Sequence, residues 1–65
     1  MIIQYEVGDE IEHQDQYGNP RGVGRVTELR GHYIVYADMS AGKRLTVPRK
    51  EIRPTKDTFE KARYR

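Results

Sequence analysis

The 65-residue sequence contains no cysteine and a single phenylalanine. Without cysteine, neither a disulfide nor a thiolate–zinc site can hold the fold together. A domain of this size buries only about 60% of the surface that its unfolded chain exposes. We therefore expect stability to come from a closed or nearly closed sheet, from oligomerisation, or from both.

Long apolar runs are also missing. No segment approaches the roughly 18 residues that a membrane-spanning helix requires, and the first six residues are too few and too acidic for a secretory signal. The absence of cysteine fits a reducing compartment. The sequence thus predicts a cytoplasmic protein that makes no membrane contact.

Basic residues are missing from the first third of the chain. Residues 1–20 carry five acidic residues and no lysine or arginine, a net −5, whereas residues 21–65 carry twelve basic and five acidic residues, a net +7. This division predicts one acidic and one basic face. A basic face attracts phosphate backbones or acidic proteins. The alternative is that the charges only keep strand edges from aggregating.

Glycine and proline interrupt the chain at regular intervals, and the segments between them are rich in β-branched and aromatic residues. This pattern is typical of a meander of short strands. A bulge near Gly24 would bring the apolar positions of the second strand onto one face. The predicted elements are strands at Glu10–Gln14, Gly22–Leu29, His32–Ala37 and Lys43–Val47, a 3₁₀ turn at Arg49–Ile52 and a closing strand at Arg53–Pro54.

The period-two pattern also predicts a core and a domain boundary. We expect residues 1–54 to form the β-domain and residues 55–65 a basic C-terminal extension, which is either disordered or a short helix with its N-cap at Asp57 or Thr58. The predicted core consists of Val7, Ile11, Val23, Val26, Leu29, Tyr33, Val35, Leu45, Val47 and Ile52.

Two segments resemble known small β-domains. Val7–His13 is similar to the Gly-Asp-x-Val-x-His opening of the Tudor-like domains that end some bacterial DNA helicases, and Gly22–Leu29 resembles the glycine-containing strand of KOW modules. The resemblance covers about residues 7–54 and implies an all-β, SH3-like barrel of five strands. It also implies a partner in the transcription or replication machinery, which is either nucleic acid or protein.

The basic residues of the second half suggest a binding surface. Phosphate backbones require cations, and exposed aromatic side chains such as Tyr17, Tyr33 and Tyr36 could stack on bases. The alternative is that two of these tyrosines fill the core. The predicted contacts to nucleic acid or an acidic partner are Arg25, Arg44, Arg49, Lys50 and Arg53.

The third strand is apolar on both faces. If Tyr33 and Val35 point inward, Ile34 and Tyr36 are exposed and form a protein interface together with Tyr17, with a homodimer among the options. The inverted register, with Ile34 and Tyr36 inside, is equally compatible with the alternation.

Sites for chemistry are weakly indicated. Two histidines without cysteine, at unrelated spacing, are a poor zinc signal, and no nucleophile–base pair can be assembled. We therefore predict no catalytic residue, no metal and no cofactor. The sequence favours a non-catalytic binding module that contacts nucleic acid or its machinery through a basic face. The alternative is a protein-interaction subunit or inhibitor that binds no nucleic acid.

Overall fold

The computed structural model describes residues 3–65. Within this range the chain folds into an antiparallel sheet of five strands, followed by a short helix, which confirms the prediction of a mainly β protein. All predicted strand bounds agree with the observed ones to within two residues. The elements are β1 Glu10–Gln14, β2 Pro20–Arg30, β3 Tyr33–Asp38, β4 Arg44–Pro48, a 3₁₀ turn Arg49–Glu51, β5 Ile52–Pro54 and α1 Lys56–Ala62.

The sheet has the order β4-β3-β2-β1-β5, so β4 and β5 lie at opposite edges. Only the three residues of the 3₁₀ turn connect these edge strands. Since consecutive Cα atoms are 3.8 Å apart, the Cα atoms of Pro48 and Ile52 are separated by at most about 15 Å. The sheet must therefore curl until its two edges approach each other at this end. Residues 3–65 form an open sheet, with no ladder between β4 and β5.

The core lies on the concave side of this curled sheet. Val26 pairs with Tyr36, and Ile34 pairs with Val47, so these side chains share one face. Burial confirms the predicted core positions Ile11, Val26, Val35, Val47 and Ile52. The main buried cluster is Tyr5, Ile11, Val26, Ile34, Tyr36, Val47 and Ile52.

Half of the predicted core positions are not buried, and one of them, Tyr33, is exposed because β3 has the inverted register. Ile34 and Tyr36 point inward, so Tyr33 on the other face is exposed. The bulge of β2 lies between Val26 and Glu28 rather than near Gly24. The incorrectly predicted core residues, all at least partly exposed, are Val7, Val23, Leu29, Tyr33 and Leu45.

Gly24 has a different role from the predicted one. A Cβ atom at this position would lie 2.6 Å from Cδ2 of Tyr36 and would also collide with the carbonyl oxygen of Ala37. Glycine therefore lets the Tyr36 ring pack directly on the backbone of β2. The neighbouring Val23 points to the opposite face, where it pairs with Glu12.

The C-terminal extension is an ordered helix that is hydrogen-bonded to β1. Thr55 caps α1 by accepting a hydrogen bond from the backbone N–H of Thr58. The buried Thr58 hydroxyl donates to the carbonyl oxygen of Glu10 at 2.6 Å, and the Thr55 hydroxyl donates to the same oxygen at 3.2 Å. The helix thus begins two to three residues earlier than predicted, and hydroxyl groups hold it on the sheet.

The last residue of the chain is held by a buried carboxylate. Arg65 donates to both carboxylate oxygens of Asp9 at 2.7 Å, and the backbone N–H of Glu6 donates to the same group at 2.8 Å. Asp9 is only 4% exposed. The hydrogen bonds from Arg65 keep the pKa of Asp9 below its usual value.

In residues 3–65, no helix is long and apolar enough to cross a membrane.

Candidate functional site

The five predicted cationic contacts fall into two groups. Arg25 and Arg44 flank Ala37 on the outer, convex face of the sheet, since each is a cross-strand partner of Ala37. The other three, Arg49, Lys50 and Arg53, come after Pro48, which is four residues beyond Arg44 on β4. At about 3.3 Å per residue, these steps separate the Cα atoms of Arg44 and Pro48 by about 13 Å. The predicted cations therefore form two separate groups along the sheet rather than one cluster.

The outer pair lies on an open strand surface. Arg25 is directly opposite Glu10, so an acidic residue is its cross-strand neighbour. Its guanidinium also donates to the carbonyl oxygen of Gly8 at 3.3 Å. Part of the charge and hydrogen-bonding capacity of Arg25 is thus used within the molecule, which leaves Arg44 as the more available member of the pair.

The second group is built around the 3₁₀ turn. Arg49 and Lys50 belong to the turn itself, and Arg53 follows on β5. The Arg53 guanidinium donates to the carbonyl oxygens of Lys50 at 2.8 Å and Ile52 at 2.9 Å. Arg53 therefore stabilises the turn, and Arg49 and Lys50 are the two cations that the turn presents.

Arg49 and Lys50 line a groove of about 500 Å³ beside the end of β3. The backbone N–H of Arg49 donates to the carbonyl oxygen of His32 at 2.8 Å, which fixes the turn against the β2–β3 hairpin. Tyr33, paired with Pro48 across the sheet, is 52% exposed. We call this the basic groove, defined by His32, Tyr33, Pro48, Arg49 and Lys50.

A second groove of about 380 Å³ lies on the other side of the turn. The backbone N–H of Asn19 donates to Asp15 and lowers the pKa of its carboxyl group, which keeps the charge on this groove's wall. Two carboxylates face two cations in its lining, whereas the lining of the basic groove has two cations and no carboxylate. We call this the mixed groove, defined by Asp15, Gln16, Gly18, Lys50, Glu51 and Arg53.

A partly buried hydrogen-bond network supports the turn from inside. Nδ1 of His13 lies 3.0 Å from the Tyr36 hydroxyl, and its Nε2 lies 2.9 Å from Oε1 of Glu51. All three groups are satisfied when the hydroxyl donates to Nδ1 and Nε2–H donates to the carboxylate. Burial, and secondarily the charge of Asp38, raises the pKa of Tyr36. The network ties the 3₁₀ turn to β1 and β3.

The tyrosine end of this network is not accessible to a ligand. Tyr36 is 0% exposed, so its hydroxyl cannot contact a molecule in solution. Its members lie 23 and 38 residues apart in sequence, which explains why the spacing of charged and aromatic residues did not reveal it. Its effect on the surface is to fix Glu51, and with it the backbone that carries Arg49 and Lys50.

The predicted protein interface is wrong at two of its three residues. Ile34 and Tyr36 are fully buried because they pair with Val47 and Leu45 on the concave face of the sheet. The basis for a homodimer through this pair is therefore lost. The third residue, Tyr17, is 80% exposed on the loop between β1 and β2.

The basic groove contains three residues that were not among the predicted cationic contacts. Tyr33 was predicted both as a core position and as a possible base-stacking residue, His32 was considered only as a weak zinc ligand, and Pro48 was not considered for binding. Across residues 3–65, no group of three His, Asp or Glu side chains is arranged to hold a metal ion. No protein-family model matches the chain, and neither a curated protein nor a solved structure matches it.

Proposed function

We propose that this protein is a non-catalytic binding module that contacts the phosphate backbone of nucleic acid through the basic groove. The observation that supports this most directly is the presence of Arg49 and Lys50 beside the exposed ring of Tyr33. Cations that displace condensed counterions supply most of the affinity for nucleic acid, and aromatic faces supply contacts to bases.

The charge of the groove favours a phosphate ligand. Among residues 3–65, no carboxylate lies within ion-pair distance of Arg49 or Lys50, whereas four other arginines are paired with acids. The mixed groove offers no such excess of positive charge. An anionic ligand is therefore attracted to the tyrosine side of the 3₁₀ turn rather than to its glutamate side.

Fold class and cellular setting are part of the same proposal. The curled sheet and the three-residue link between its edge strands support an SH3-like barrel. Since that architecture hosts many activities, it does not identify the ligand. The resemblance of Val7–His13 and Gly22–Leu29 to Tudor-like and KOW modules supports a cytoplasmic role beside the transcription or replication machinery.

The test compares two pairs of cations. Arg49→Gln with Lys50→Gln removes the groove charges, and Lys56→Gln with Lys61→Gln removes two charges from α1 as a matched control. Binding of labelled oligonucleotides is followed by fluorescence anisotropy from low to moderate salt.

We expect the groove variant to lose most of its affinity. Each lost phosphate contact reduces the magnitude of the log–log salt slope by about 0.7 on a single strand, so the two changes together reduce it by about 1.4. The α1 variant keeps the wild-type slope. Absence of binding by the wild-type protein at low salt, or equal losses in both variants, would contradict the proposal.

A further inference from the structure

We infer that the basic groove holds an unpaired nucleobase stacked on the Tyr33 ring, so that the ligand is a single strand. This inference rests on the proposed function and specifies its ligand class. It depends on the shape of the groove, the exposure of one ring and the position of two cations next to that ring.

The Tyr33 ring is placed to receive a flat ligand. Tyr33 lies at the first position of β3, on the convex face, and about half of it is open to solvent. Pro48 is the cross-strand partner of Tyr33, and His32 precedes Tyr33 on the β2–β3 hairpin. The ring therefore lines a groove that also contains the apolar surface of Pro48 and the ring of His32.

The groove is large enough to accommodate a nucleobase. A volume of about 500 Å³ lies within the range of small-molecule sites, which is about 300–1,000 Å³. A duplex keeps the faces of its bases stacked inside the helix, where Tyr33 cannot reach them. A protein normally reads a duplex by inserting a helix or a two-stranded ribbon into the major groove. In this protein the helix α1 is attached to β1 through Thr58, so it is not free to insert into a groove of DNA.

The cations are positioned to hold the backbone of the same strand. Arg49 and Lys50 follow Pro48 directly, so their charges border the site where the base would stack. A base on Tyr33 and its phosphates on Arg49 and Lys50 would satisfy the aromatic and charged parts of the groove at once. Stacking is tolerant of base identity, so we expect little sequence preference.

The experiment varies the ligand first, so that the protein remains unchanged. Wild-type protein is titrated with a short oligothymidylate, an abasic strand of equal length, a duplex of equal length and a polyglutamate chain. Stacking predicts that the oligothymidylate binds at least about 5-fold more tightly than the abasic strand and the duplex.

Protein variants then locate the effect. Tyr33→Leu should reduce affinity for the oligothymidylate at least about 5-fold and leave the abasic strand unaffected, and Tyr33→Phe should bind like wild type. Tyr64→Leu is the control, because Tyr64 is more exposed than Tyr33 and lies at the far end of the chain.

Each alternative result is distinguishable. If the abasic strand or the duplex binds as tightly as the oligothymidylate, stacking on Tyr33 is refuted, but the phosphate contact of Arg49 and Lys50 is retained. If polyglutamate binds as well as the oligothymidylate, the partner is an acidic protein, and the inference fails together with the proposed function. The same holds if no nucleic acid binds.

Discussion

Tyr33 and Tyr36 lie three residues apart on β3 and have opposite environments. The Tyr36 ring is fully buried against Gly24, and its hydroxyl is bonded to His13. The Tyr33 ring is half exposed and lines the basic groove. Since side chains alternate across a strand, one short segment contributes both to the buried core and to the exposed basic groove.

The two regions also differ in how their polar groups are satisfied. In the described part of the chain, every buried side-chain nitrogen and oxygen has a hydrogen-bond partner. At the basic groove, by contrast, Lys50 is exposed and Arg49 is partly exposed, and both lie next to an aromatic ring. Buried polar groups that are all satisfied favour a single structure. Charges without internal partners remain available to a ligand, which separates the stabilising region from the binding region.

The largest effect should come from truncating each tyrosine in turn. Tyr36→Ala removes a buried ring and should lower the free energy of unfolding by about 3–5 kcal/mol. Tyr33→Ala removes a half-exposed ring and should cost less than about 1 kcal/mol. Urea denaturation followed by circular dichroism measures both. Equal losses would mean that the two faces of β3 are not distinct.

A smaller effect should follow from adding one methyl group beside Tyr36. Gly24→Ala places a Cβ atom where the ring and the Ala37 carbonyl oxygen already lie, and such overpacking costs about 1–3 kcal/mol. Thr46→Ala on the exposed face of β4 is the control and should change stability by no more than about 0.5 kcal/mol. A stable Gly24→Ala protein would show that β2 and Tyr36 pack less closely than described.

The buried carboxylate of Asp9 predicts a pH dependence. Its pKa is lowered in the folded state, chiefly by hydrogen bonds from Arg65, so this stabilisation is present above the unfolded value of 3.8 and is lost as the pH falls through the folded value. Asp9→Asn should cost about 1–2 kcal/mol at neutral pH.

Thermal unfolding of both proteins at several pH values tests this dependence. The difference between wild type and Asp9→Asn should shrink below pH 3.8. A difference that stays constant with pH would show that the ionised form of Asp9 adds no stability.

The smallest effect concerns a single hydroxyl group. Tyr36→Phe removes the hydrogen bond to His13 and should cost about 1 kcal/mol, whereas Tyr33→Phe should have no measurable effect on stability. Chemical denaturation of the two variants side by side measures the difference. If both are neutral, the network does not stabilise the 3₁₀ turn.

The sequence predicted the strands well and their faces poorly. Turn residues and β-branched segments locate elements, but a strand such as β3 that is apolar on both sides carries no signal for its orientation. The orientation depends on the Thr27 bulge and on the turn after Asp38. The hydrogen bond between the backbones of Asp38 and Lys43 closes the β3–β4 turn, and counting back from it places Tyr33 opposite Pro48. Once the position of that turn is known, this part of the groove follows from the sequence.

Other parts of the site could not be predicted. The cations were correctly identified as exposed or partly exposed residues, but their division into two groups depends on where β4 ends, which separates Arg44 from the turn after Pro48. The contact of His13 with Glu51 joins β1 to the 3₁₀ turn across 38 residues. Such a pair has no local signature, because it forms only after the strands have assembled.

The most direct test is a ¹⁵N–¹H NMR titration of wild-type protein with the short oligothymidylate. We predict that the largest amide shifts occur at His32, Tyr33, Arg49 and Lys50, and that Arg25, Ala37 and Arg44, at the other end of the convex face, change little. Largest shifts at the latter residues, or none on the molecule, would contradict binding at the basic groove.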